Sequence, residues 1–309
     1  MPARWYDLLG IGDCESESDL PAGDWLYPKV NLPMTTFQEA ATYLLNVAGI
    51  TLIQLFALGG PVLLLIALLS WLSGWVQRLA IAAFGITTYL LLFGWLGTAI
   101  HETGHLLAAL LFRHQVASFR PFAPNLKTGV LGSVGTRYHA GNLYQYFGLF
   151  FIGIAPVVFG TLAIYLALYG LFHGQMTEVW RVIDRRNTIY GPSVGNILSS
   201  GLAFLGFVFS PRHLLDWRLY LFLYIAFSVG SSIHLSDSDK AGAATGCLPM
   251  IVLLFLFNTV LLSLGSAGSA TFAWLTQYYT FLYILLCFVI LLNVLAIAVL
   301  WLPAMLRAH

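Results

Sequence analysis

Within residues 79–112, LAIAAFGITTYLLLFGWLGTAIHETGHLLAALLF, an otherwise apolar run is broken near its end by His101, Glu102 and His105. On a helix, positions i and i+4 lie one turn apart on the same face. His101 and His105 can therefore offer two imidazole nitrogens to one tetrahedral zinc ion. In such an HExxH arrangement the glutamate is not a ligand. Glu102 would take a proton from a water that the metal has made acidic near neutral pH, and the resulting hydroxide would attack a carbonyl.

Seven apolar residues, Leu106 to Phe112, follow the motif, which places it about 10 Å inside the end of the segment on helical rise. Ionisable groups left there without partners would each cost about 2.5 kcal/mol on insertion scales, and such groups mark functional sites. A purely structural role for two histidines and one snorkelling glutamate explains neither the spacing nor the clustering.

Catalytic zinc takes three protein ligands and keeps one open position, so a third donor is needed. Beyond Glu102 the acids are Glu178, Asp184, Asp216, Asp237 and Asp239. Glu178 and Asp184 lie in a loop with arginines, and Asp216 sits near a segment end, as solvated carboxylates do. Asp237 and Asp239 in SSIHLSDSDKAG open an apolar helix, where they are either helix-start acids beside an N-cap serine or one of them is the missing ligand. His234 is a minor alternative. His114, His139, His173, His213 and His309 read as loop, end or interface residues.

The elements that must position these residues follow from composition. The chain has 309 residues, 59% hydrophobic and 9% charged, with mean hydropathy +0.82, far from a soluble domain. The expected fold is an all-α polytopic membrane protein with a short β-hairpin near the active site. About seven transmembrane helices, at 47–73, 79–112, 145–172, 193–211, 217–235, 247–265 and 279–305, meet the length that a bilayer core demands. Residues 1–40 hold seven of the thirteen acids and read as a soluble acidic segment. Residues 41–309 form the transmembrane domain, with the metal site in a core over 79–265 and peripheral helices at 47–73 and 279–305. VASFRPF (116–122) and GVLGSVGTRY (129–138) flank the turn-forming PNLKTG as the two arms of the hairpin. Pro121 and Pro124 confine the first arm to a sheet edge, where it could take an extended substrate as a further strand. Cys14, Cys247 and Cys287 are scattered and indicate neither a disulfide framework nor a CxxC site. A net charge of +1 offers no basic field for nucleic acid. The partner is the lipid bilayer, in the cell membrane. Arg113, Arg120, Lys127 and Arg137 in the loop after the second span favour an N-inside orientation.

HETGH inside an apolar helix, followed by an aspartate at the start of a later helix, resembles the site-2 protease family of intramembrane zinc metalloproteases. The similarity covers about residues 90–265. In that family the aspartate lies in Leu-Asp-Gly; here the equivalent is LSDSDKAG, which implies Asp239 as third ligand, with Asp237 second. The third span carries GIAPVVFG (153–160) where many relatives have Gly-Pro with a nearby Asn, and Asn196 is the candidate oxyanion donor instead. The resemblance implies Zn2+ as cofactor, Glu102 as catalytic base, and cleavage of a single-span or membrane-anchored protein. Two other readings compete: a CAAX-type membrane protease using Glu178 as ligand, and a membrane transporter or metal-binding protein.

Overall fold

The computed structural model describes residues 37–125, 130–177, 180–181, 194–264 and 266–308. The acidic segment up to residue 36, Glu178, Asp184 and the side chain of Asn196 lie outside them.

The described chain is mostly helical. Helix α1 (Phe37–Gln54) passes through a π-helical turn, Leu55–Gly59, into α2 (Gly60–Phe84). The break expected at residues 74–78 is not there. Arg78 lies over the Trp75 ring, 4.6 Å from its centroid, so the cation is covered by its own helix and the helix continues. The chain turns instead at Gly85, whose φ of 87° suits a residue without a Cβ. A short α3 (Ile86–Tyr89) and a second π-helical turn, Leu90–Gly94, lead into α4 (Trp95–Leu111), which carries the HETGH residues.

Strands β1 (Gln115–Arg120) and β2 (Ser133–Arg137) then form an antiparallel two-stranded sheet, running in register from Gln115↔Arg137 to Arg120↔Ser133 with a bulge between Val116 and Ser118. This is the expected hairpin, and both strands pack on α4. Pro121 ends the first strand, as a residue with no N–H must.

Helix α5 (Leu143–Phe172) starts at Asn142, whose side chain accepts from the N–H groups of Tyr144 and Gln145. After α6 (Val194–Val208) and a one-turn α7 (Pro211–Leu214), α8 (Trp217–Gly230) is capped by Asp216, which accepts from Arg218 N at 3.0 Å. Helix α9 (Asp237–Ser263) and the long α10 (Ser266–Ala308) complete the chain. Among the described residues, four helical stretches, Gly60–Phe84, Leu143–Gln175, Asp237–Ser263 and Thr280–Leu306, are long and apolar enough to cross a membrane. The expected spans at 193–211 and 217–235 coincide with shorter apolar helices, Leu198–Val208 and Trp217–Gly230.

Lipid is as apolar as leucine, so association of these helices depends on close packing and on polar contacts between them. Helix α5 runs along α9, α10 along α2, and α4 and α8 pack on α5. At the centre Phe288 of α10 stacks on Phe222 of α8 and meets Phe204 of α6 edge-on. The π-helical turn before α4 has carbonyls that receive side-chain donors: Tyr224 Oη donates to Leu92 O and Ser228 Oγ to Phe93 O, each at 2.6 Å. These two bonds tie α8 to the helix that bears the histidines. On the far side, Asn258 Nδ2 donates to Thr51 Oγ1 and Gln54 Oε1, joining α9 to α1.

The α5–α9 contact is close at one glycine. A Cβ on Gly153 would lie 2.5 Å from Asp239 O and 2.7 Å from Ala243 N. Gly153→Ala is therefore expected to destabilise the protein by about 1–3 kcal/mol through overpacking against backbone. Gly170→Ala, on the same helix with nothing within 4 Å, should be neutral or slightly stabilising. Thermal unfolding of both variants in one detergent checks this. Equal melting temperatures would contradict the packing argument.

Candidate metal centre

His101 and His105 project from one face of α4, their ring centroids 5.0 Å apart. Each ring is oriented by a carbonyl on a different element. His101 Nδ1–H donates to Ser232 O at 2.9 Å, and His105 Nδ1–H donates to Ile152 O at 2.9 Å. With each Nδ1–H given to a carbonyl, both Nε2 atoms face the Asp239 carboxylate, the arrangement that lets them ligate a metal in its place. The tautomers follow from the acceptors, since a carbonyl can only receive.

Both acceptors are open to the imidazoles because of local sequence. Pro156 lies inside α5 and has no N–H to give to the carbonyl four residues before it. That carbonyl is Ile152 O, the one that His105 uses. Ser232 lies in the turn after α8, where the helical ladder has ended. Helices α4 and α8 approach closely at this turn. A Cβ on Gly97 would collide with Ser228 O and Ser232 Oγ, so only glycine lets His101 reach its acceptor.

The carboxylate that meets the two imidazoles is Asp239. Its Oδ1 lies 3.2 Å from His105 Nε2 and its Oδ2 lies 3.9 Å from His101 Nε2. The carboxylate sits at the third position of α9 in a reciprocal cap: Ser236 N donates to Asp239 Oδ2 at 2.8 Å, and Asp239 N donates to Ser236 Oγ at 3.2 Å. The cap fixes its rotamer, and the amino-terminal end of the helix favours its charge. Asp237, two residues earlier, faces outward. It is fully exposed and pairs with Lys240 at 3.0 Å.

One donor atom from each of His101, His105 and Asp239 lies within 4.8 Å of the others, and the three could hold a metal ion. In a tetrahedral site with bonds near 2.0–2.1 Å, donor atoms stand about 3.3 Å apart. With one donor atom from each residue within 4.8 Å of the others, the three must draw together by up to about 1.5 Å to meet it. Two neutral imidazoles and one carboxylate suit a divalent transition metal and leave a fourth position for water or substrate. Each of the three side chains keeps about a tenth of its surface accessible, so the cluster is not sealed.

Glu102 is buried on the adjacent position of α4. The chain leading into β2 lies directly against it: a Cβ on Gly132 would fall 2.7 Å from Glu102 Cγ and 2.9 Å from Thr98 Cγ2. The hairpin thus forms one wall beside the carboxylate.

Among the other described histidines, His234 lies beside His101, its ring centroid 5.5 Å away, and is not one of the converging donors. His213 bonds to Phe207 O and Gln175 Oε1. His114, buried, donates through Nε2 to Gln145 O. Gln145 Nε2 in turn donates to Arg113 O, and Gln145 Oε1 receives His139 N. This latch joins the end of α4 to the start of α5, and sequence reasoning had passed over Gln145. Ser232, Ile152 and Pro156 were missed as well. The proline within GIAPVVFG was the available signal, because a proline inside a helix always releases a carbonyl. Comparison of the chain with protein-family models, curated proteins and solved structures finds no match.

Metal content of purified full-length variants tests the assignment. Asp239→Ala should lose most of its bound metal, whereas Asp237→Ala should retain the wild-type amount. Pro156→Ala restores an N–H that competes with His105 for Ile152 O, and should weaken metal affinity about 10- to 100-fold, the range seen for partners of metal ligands. Loss of metal from Asp237→Ala with retention in Asp239→Ala would reverse the choice.

Proposed function

We propose that the protein is an intramembrane zinc metalloprotease of the site-2 type. The observation that carries this reading is the convergence of His101 Nε2, His105 Nε2 and the Asp239 carboxylate, with Glu102 beside them on an apolar helix. A transport site would need the three ligands but has no use for a buried Glu102 outside the ligand set. The alternative with a glutamate ligand has less support, because Asp239 already occupies the third direction.

Zinc held by these residues would supply a Lewis acid that makes water acidic near neutral pH and polarises the scissile carbonyl. The protein's own groups carry the remaining work. The carbonyls of Ser232 and Ile152 hold the two imidazoles in the ligating tautomer. Glu102 takes a proton from the attacking water as its oxygen bonds to the carbonyl carbon. The same carboxyl then delivers that proton to the amide nitrogen as the C–N bond breaks, leaving a free acid and a free amine. The hairpin wall at Gly132 keeps bulk water from one side of Glu102. The substrate is a peptide segment in or near the membrane, from a single-span or membrane-anchored protein. The enzyme itself is a multi-pass protein of a cell membrane, with the shorter apolar helices contributing further crossings toward the expected seven.

Glu102→Gln should bind zinc as the wild type does and lose about 10²- to 10⁴-fold in kcat. The assay is cleavage of a panel of fluorescein-labelled single-span peptides in detergent micelles. A Glu102→Gln protein that cleaves at the wild-type rate would overturn the proposal.

A further inference from the structure

The turn between α8 and α9 carries one polar ring that the metal centre does not use. His234 is exposed, and its ring centroid lies 5.5 Å from that of His101 at an interplanar angle of 38°. It is not among the residues whose donor atoms converge on the metal position. It therefore stands beside the ligand set rather than in it.

Its place is built by neighbours on either side. Ile233 is 1% exposed and fills the space left by Gly160 on α5, where a Cβ would fall 2.6 Å from Ile233 Cγ1. The carbonyl of Ser232 accepts both His101 Nδ1–H and the backbone N–H of His234, each at 2.9 Å. One carbonyl thus fixes the ring of the ligand and the backbone of the histidine next to it. On the other side, Ser236 and Asp239 close the reciprocal cap of α9. A residue whose two predecessors are buried and whose following turn is capped is held in position, and His234 stays solvent-accessible beside the His101 ring.

Glu102 follows His101 on α4 and is buried, and the His234 ring lies beside the His101 ring. A peptide bond brought to the His101 side of the centre would meet the His234 imidazole as well as the Glu102 carboxylate. During hydrolysis the carbonyl oxygen gains negative charge, and a preorganised neutral donor aimed at that oxygen stabilises the transition state more than the ground state.

We infer that His234 is a further catalytic residue, whose ring N–H donates a hydrogen bond to the scissile carbonyl oxygen as it becomes an oxyanion. The inference rests on the protease reading above. It assigns to this turn the role for which the sequence had suggested Asn196.

The test uses full-length wild type, His234→Ala, His234→Phe and His234→Gln, with three readouts. These are zinc per chain, kcat and KM on the labelled single-span peptides, and the affinity of a phosphinic peptide whose tetrahedral anion mimics the hydrated amide. Zinc content should be unchanged in all four proteins. His234→Ala and His234→Phe should each lose about 10²- to 10³-fold in kcat with KM within about twofold of wild type. Their affinity for the phosphinic peptide should fall with kcat. His234→Phe keeps a ring against His101 but no donor, so full activity in that variant would reduce His234 to a packing role and overturn the inference. His234→Gln, which restores an N–H, should recover part of the loss. Loss of zinc from His234→Ala would make the residue a ligand and overturn it equally. A wild-type protein that holds zinc but cleaves none of the peptides would overturn the protease reading and this role with it, whereas normal cleavage with unchanged kcat in His234→Ala removes this role alone.

Discussion

Two backbone carbonyls, those of Ser232 and Ile152, decide which way the imidazoles of His101 and His105 face. Helical spacing brings the rings to one side of α4, but spacing alone leaves each ring free to rotate and to carry its proton on either nitrogen. A carbonyl acceptor removes both freedoms. It takes the Nδ1 proton, fixes the ring plane, and turns the Nε2 lone pair toward the shared position. Between packed helices the acceptors are scarce, because nearly every carbonyl is engaged in its own ladder. The protein obtains them from two local irregularities, a proline inside α5 and the end of α8.

The same irregularities organise the helices around the centre. Ile152 presents its carbonyl to His105, and the next residue, Gly153, leaves the gap in which the first turn of α9 seats Asp239. Neighbouring positions of α5 thus serve two ligands from two other helices. On α8, Ser228 bonds to Phe93 O while its own carbonyl crowds Gly97, so the contact that ties α8 to α4 also brings Ser232 to His101. An apolar cluster that includes Val157, Val229 and Ile233 packs beside these contacts. Close backbone approach and a few hydrogen bonds do the positioning, as expected where lipid supplies no hydrophobic drive between helices.

Much of this was legible in the sequence, and the parts that were not share a cause. His101, Glu102 and His105 could be read because their spacing is local to one helix. The hairpin could be read because PNLKTG separates two extended arms, and Pro121 marked where the first would end. Asp239 and Asp237 could not be separated by position near a helix start, since both lie there. What separates them is phase. Ser236 is the N-cap and Asp239 lies three residues on, the spacing of a reciprocal cap, which turns its carboxylate back over the helix end while Asp237 points toward Lys240. The roles of Ser232, Ile152 and Gly132 arise from contacts between segments more than a turn apart, and no one-dimensional pattern carries them. The expected break at residues 74–78 failed because a single arginine covered by Trp75 does not end a helix, whereas Gly85, with its positive φ, does.

Whether two imidazole nitrogens and one carboxylate hold a zinc ion is read from X-ray absorption at the zinc edge of the purified, zinc-loaded full-length protein. The expected spectrum has a four-coordinate first shell of nitrogen and oxygen only, near 2.0–2.2 Å, with the outer-shell scattering of two imidazoles. A sulfur shell near 2.3 Å, scattering from a different number of imidazoles, or a protein that retains no zinc would contradict it.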